Sequence, residues 1–184
     1  MARPPLAKAK ILDAYVALLC DEGERAATMD ATAARAEVSK GGLLYHFASK
    51  EALAQAVIGA CEELAAQDCE LMSRAPEGIS VYFVRTSAEL GTEFDRYMLA
   101  VERLAQAGVD AAAQILQRIS QDWYELILGE VGDPTVAQAI MLIGEGIYAH
   151  AGRPAWWHDS DFDARLAQLL ELVPKLKKLG DFNQ

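Results

Sequence analysis

In the stretch SKGGLLYHFASKEAL, from Ser39 to Leu53, a serine, a lysine, two adjacent glycines, a phenol and an imidazole follow one another closely. No nucleophile, base and orienting residue can be assembled here or elsewhere in the chain, so the chemistry on offer is recognition and no enzymatic activity is expected. Lys40, Tyr45 and His46 can donate hydrogen bonds. Gly41 and Gly42 leave a helical backbone bare, at a cost of about 1 kcal/mol each relative to alanine. Giving up that stability makes sense where another molecule must come close. Such a face suits a helix lying in the major groove of duplex DNA, where polar tips reach bases and phosphates. The plainer alternative is an amphipathic rim whose glycines mark a loop.

The elements that must position these residues are helices. Ile11, Leu12, Tyr15, Val16 and Leu19 give a first helix from about Leu6 to Asp21, with Gly23 as its stop. Thr28 caps a brief second helix, MDATAARA, and Ser39 caps a third after a short connection. Two short helices joined by a tight turn form a helix-turn-helix. On the third, Leu43, Leu44 and Phe47 stand at spacings of three and four and are expected to face inward. Ser49 caps a fourth helix, with Lys50 at its start, that reads to about Ser73. Thr28, Ser39 and Ser49 thus set three helix N-termini, which attract anions, near one exposed surface. Further helices are expected over 79–90, 92–107, 110–130, 134–151 and 161–178, separated by RAPEG, GT, AGVD, GDP and GRPAWWHDSD. The predicted class is all-α with about nine helices.

The whole chain of 184 residues carries a formal charge of −10, which by itself repels a polyanion. The charge is unevenly spread. Up to Lys50 there are seven Lys or Arg against six Asp or Glu, whereas the remainder holds ten against 21. Three cysteines, Cys20, Cys61 and Cys69, lack metal-binding or disulfide-framework spacing and fit a reducing cytoplasm. Asp13 interrupts the apolar start, and bulky Leu19 precedes Cys20, so the N-terminus reads as a helix and not as a leader. VAQAIMLIGEGIYAHA is too short for a membrane span and carries Glu145 mid-way, so no membrane partner is expected.

ILDAYVALLCDEG followed by TMDATAARAEVSKGGLLYHFASKEAL resembles the N-terminal domain of the tetracycline-repressor (TetR) family of bacterial regulators, over about Lys10 to Val57. The resemblance implies a three-helix DNA-binding head (residues 1–48), a larger helical ligand-binding and dimerisation body (49–184), and a homodimer on a palindromic double-stranded operator. It also implies that Thr28, Ser39, Lys40, Gly42, Tyr45, His46 and Lys50 meet DNA; Gly41 joins them from the exposed-face reading. Two positions depart from the family pattern. Glu37 replaces the usual glycine of the turn, which puts a side chain in a left-handed conformation and an acid near phosphate. Thr32 replaces a large aliphatic residue of the second helix.

Beyond the fourth helix the reading is physical only. Tyr82, Phe94, Tyr97, Met98, Trp123 and Tyr124 form an aromatic and methionine set that is ordinary core or lines an effector pocket. Glu145 is a candidate partner for a cationic ligand or for a group across a dimer interface. The segment 134–151 is apolar nearly all round, and the last helix carries an apolar stripe. Ile140, Ile143, Gly144, Ile147, Leu166, Leu169, Leu170 and Val173 are therefore candidates for a four-helix interface between two copies. His150, His158 and Asp159 have irregular spacing, so no metal is expected, nor any cofactor. The expectation is a cytoplasmic, ligand-responsive repressor. The alternative is a small-molecule-binding helical protein without operator-specific DNA binding.

Overall fold

A computed structural model describes residues 4–151 and 162–180. Among the described residues there are nine helices and no strand. They are α1 (Pro4–Glu22), α2 (Met29–Arg35), α3 (Lys40–His46), α4 (Lys50–Ser73), α5 (Ile79–Thr86), α6 (Glu93–Gln106), α7 (Asp110–Val131), α8 (Pro134–Ala151) and α9 (Phe162–Gly180).

Two compact units share these helices. The first takes residues up to Ala65 together with Glu93–Arg118; the second takes Ala66–Thr92 and the chain from Ile119 onward. The 1–48 segment singled out from sequence thus lies in a unit that also contains α6 and the start of α7. In the first unit α1 packs against α6, α2 and α3. Ile11, Tyr15, Val16 and Leu19 of α1 are buried with Leu43, Leu53, Val57, Val101 and Leu104. Gly23 ends α1 as expected: at φ 82° its N–H donates to the carbonyls of Leu18 and Leu19, which a residue with Cβ would do only under strain. Thr32 is wholly buried, yet its hydroxyl donates to the Thr28 carbonyl at 2.8 Å, so the smaller, polar core filler leaves no unsatisfied group.

In the second unit α5 packs on α8 and α9, which also pack on each other. Met72, Phe83, Val84, Ile127, Ile140, Met141 and Val173 form the centre of its core. Helix α5 stops at Thr86, short of the expected Leu90. Thr86 and Ser87 hydroxyls turn back onto the carbonyls of Tyr82 and Phe83, and the next two N–H groups reach only three residues back, so the helical ladder unwinds. The start of α5 is more unusual. Its N-cap, Gly78, has no side chain to offer, and the role passes to Glu130 of α7. That carboxylate accepts from the N–H groups of Ile79 and Ser80 at 2.9 Å each and from the Ser80 hydroxyl, while Lys177 of α9 sits 2.8 Å away. A Cβ on Gly78 would lie 2.7 Å from the Glu130 carboxylate, so the glycine is required by the cap as well as by its φ of 95°.

Burial alone would push the Glu130 carboxyl up. Hydrogen bonds from Lys177 and from the Ser80 side chain and backbone outweigh it and hold the group below the usual glutamate range. A depressed carboxyl stabilises the fold above its unfolded value near 4.3 and stops doing so as pH falls through its lower folded value. We therefore expect Glu130→Gln to lose about 2 kcal/mol at neutral pH. In urea melts the gap from the wild type should stay constant above about pH 5 and shrink below it. A gap that widens with acid would contradict this role for Glu130.

Candidate nucleic-acid interface

The turn between α2 and α3 sets the geometry of this surface. Helix α2 closes through two bonds: Val38 N–H donates to the Ala33 carbonyl and Glu37 N–H to that of Ala34. This is a Schellman closure, which places Glu37 where glycine is favoured. Glu37 accordingly sits at φ 53° and is the only non-glycine with positive φ among the described residues. Its carboxylate pairs with Lys10 at 2.7 Å, and that hydrogen bond and charge hold its pKa below the usual range.

Beyond the turn, Ser39 caps α3 by accepting from Gly42 N–H at 3.0 Å. Thr28 accepts in the same way from Ala31, and Ser49 from Ala52. Leu43 and Phe47 face the core. Leu44 does not, against expectation. It is 44% exposed, because on a helix it stands about 100° round from Leu43, and only residues four apart share the core-facing side of so short a segment. The outer side therefore carries Gly41, Leu44 and Tyr45, the last 82% exposed. A Cβ on Gly41 would meet no atom within 4 Å, so its bareness serves no contact inside the protein. Gly42 differs: a Cβ there would press on Ser39 Oγ at 3.2 Å, so it also protects the cap. The His46 ring, half-buried, meets the Tyr45 ring edge-on with centroids 5.1 Å apart.

The cations around this face are held by acids. Lys40 pairs with Asp30 at 2.9 Å, and Arg35 with Asp21 at 2.5 Å. Lys50 is drawn further in. It reaches the Glu24 carboxylate at 2.6 Å and donates to the Glu24 carbonyl at 2.7 Å, which ties the start of α4 to the loop after α1. Exposed pairs of the first kind are worth about 0–1 kcal/mol and exchange readily for a phosphate. The arrangement can do one thing well, which is to lay an uncovered, weakly polar helix against a shaped, hydrogen-bonding surface with exchangeable cations at its rim.

Comparison with known proteins agrees. Residues 11–57 match the family model described as "Bacterial regulatory proteins, tetR family". Over that stretch the head is similar to the DNA-binding domain of this family. A search among curated proteins gives no match. Among solved structures, the chain resembles the multidrug binding protein EbrR complexed with malachite green at 22% identity, covering 92% of this chain and 96% of that one, with a TM-score of 0.65. A Pseudomonas aeruginosa PAO1 protein assigned as a transcriptional regulator gives 20% identity, 97% and 93% coverage and a TM-score of 0.70. A gamma-butyrolactone receptor, an ArpA-like protein, gives 20%, 97% and 99%, and 0.56. At such identities the likeness establishes the fold: a tetR-type helix-turn-helix head followed by a helical body.

The candidate effector residues are divided between the two units. Phe94, Tyr97 and Met98 belong to the first unit, where Tyr97 is buried and Met98 accepts from the Cys61 thiol. Tyr82, Trp123, Tyr124 and Glu145 belong to the second, and Glu145 is exposed. There the structure adds a residue the sequence reading passed over. Asp68 of α4 accepts from the Tyr82 hydroxyl and from the Trp123 indole N–H, each at 3.0 Å. Burial raises its pKa against the lowering effect of those two donors. The signal was present in the spacing: Cys61, Ala65, Asp68 and Met72 follow one helical stripe, three of them buried, and the fourth is an acid.

Of the candidate interface residues, Ile140, Ile147 and Val173 are buried within the second unit. Gly144 is also turned inward. A Cβ there would come within 2.3 Å of the Phe83 ring, so this glycine makes room for α5. Ile143, Leu166 and Leu169 line an apolar groove between α8 and α9 together with Leu142, which is 58% exposed. Leu170 packs on the core. His158 and Asp159 lie outside the described residues, and among those described no cluster of His, Cys, Asp and Glu fit for a metal is present. Burial keeps the thiols of Cys61 and Cys69 protonated, with pKa values of about 12 and about 11. No described helix is long and apolar enough to cross a membrane.

The left-handed turn residue gives a direct test. Glu37→Gly should leave the melting temperature unchanged or raise it, since relief of about 1 kcal/mol of backbone strain offsets a weak surface ion pair. Glu37→Val should lower it by several degrees, because a β-branched residue tolerates this conformation poorly. Equal loss in both variants, measured by thermal circular dichroism, would show that the ion pair and not the backbone sets the effect.

Proposed function

We propose that this protein is a ligand-responsive transcriptional repressor that binds a palindromic operator as a homodimer through the outward face of α3. The observation that carries this reading is Gly41, where a Cβ would point into open space, beside the largely exposed Tyr45. A helix that gives up stability for a bare surface, inside a head of the tetR family, is best explained by a partner that must come close. Thr28, Ser39, Lys40, Gly42, His46 and Lys50 surround that face and supply caps and donors for backbone phosphates, with Lys50 chiefly holding the head together. The apolar groove of α8 and α9, with Leu142 beside it, supports pairing of two chains, which would set two copies of α3 about one DNA turn, roughly 34–36 Å, apart. The protein acts in the cytoplasm, by binding and not by catalysis.

The effector side of the proposal centres on Asp68. A half-buried carboxylate with a raised pKa, flanked by Tyr82 and Trp123, gains most from a cationic, aromatic ligand. EbrR in complex with malachite green is a relative of the same fold that holds such a molecule. The ligand must favour a state of the dimer that fits the operator less well, since only a difference in affinity between two states can shift their balance.

Two experiments decide. Duplexes enriched by the wild-type chain from random DNA should bind Tyr45→Ala about ten times more weakly or worse, with unchanged helicity. Undiminished binding would remove α3 from the interface. Malachite green should bind the wild type and release it from the operator, and Asp68→Asn should lose that binding while keeping the DNA affinity. Equal dye affinity in the two proteins would move the effector site elsewhere.

A further inference from the structure

The middle of the outward side of α3 is uncharged, with Lys40 at its N-terminal edge. Leu44 and Tyr45 stand three and four residues after Gly41, and all three are exposed. Lys40, at the first position of the helix, has its ammonium turned to Asp30, and Lys50 is bound to Glu24. An exposed leucine is ordinary by itself. This one differs by its place, on a seven-residue helix whose other apolar residues, Leu43 and Phe47, meet the core, next to a bare glycine and an exposed phenol.

The major groove narrows what such a side chain can read. Guanine is recognised by arginine or lysine and adenine by asparagine or glutamine, and the Leu44 side chain can make neither kind of contact. The thymine C5-methyl is the apolar feature of the base edges, and an aliphatic side chain meets it by contact alone. We propose that Leu44 is a specificity-determining residue that packs on the C5-methyl of one thymine in each operator half-site. This rests on the DNA-binding reading above and goes beyond it by naming the base and the atom recognised. The paired lysines at the rim then position the helix without choosing the sequence.

The test uses full-length protein and an enriched duplex in which each thymine of the half-site is replaced singly by uracil, which deletes the methyl and nothing else. Wild type should lose about fourfold in affinity at one thymine per half-site, the worth of one buried methyl. Leu44→Ala should bind the thymine duplex more weakly by a similar factor and be indifferent to uracil at that position. Leu44→Met, which keeps the apolar reach, should retain the sensitivity. Wild-type indifference at every thymine, or equal sensitivity in Leu44→Ala, would overturn the assignment while leaving DNA binding intact. Failure to enrich any duplex would instead overturn the DNA-binding reading and this inference with it.

Discussion

A helix of seven residues can be anchored along one line only, and in α3 that line is Leu43 and Phe47. Everything the head presents follows from this constraint. With both core contacts four residues apart, the remaining positions have no choice but the rim or the open side. Turning α3 by one residue would bury Leu44, expose Leu43, and bring Tyr45 and Gly41 round toward the protein. The surface is therefore specified by packing behind it. The Ser39 cap and the closure at Glu37 hold the helix at its two-residue purchase; neither would suffice without the buried pair.

That constraint explains the uneven tolerance of the motif. Gly41 and Gly42 look alike in sequence, yet one faces open space and the other guards a cap oxygen at 3.2 Å. Alanine at the first would gain helix stability and obstruct only an approaching partner; alanine at the second would disturb the head itself. A comparable division runs through the body. Gly78 yields to the Glu130 carboxylate, and Gly144 to the Phe83 ring. Each small residue marks where two elements of the same chain converge, so an interface cannot be inferred from a glycine alone.

Much of this was legible beforehand, where a local rule decides. Helix stops at Gly23, caps at Thr28, Ser39 and Ser49, and the left-handed turn at Glu37 all depend on a few adjacent residues. The failures depend on three-dimensional neighbours. Apolar spacing puts Leu44 inward because it does not say how wide a core-facing stripe is. At Gly144 the sequence offers only a small residue on an apolar helix and does not reveal the Phe83 ring of α5 beside it. Asp68 went unnoticed, since its two aromatic donors lie 14 and 55 residues away in the chain. Helix α5 ended early because serine and threonine hydroxyls competed for its carbonyls, an outcome propensity leaves open.

The charge distribution adds a last step. A protein with a net charge of −10 would approach DNA against its own field, and three cations of its head are already matched to acids: Lys10 with Glu37, Lys40 with Asp30, Lys50 with Glu24. Sequence-independent affinity scales with the phosphates a protein neutralises, and a cation that must first leave an acid contributes less to it than a free one would. Under the proposed function, what would hold it on a site is shape and contact along α3, through a bare backbone, a leucine and a phenol. Weak general attraction with close local fit raises the ratio of specific to non-specific binding, which is the quantity that matters when one operator competes with a genome of other sites.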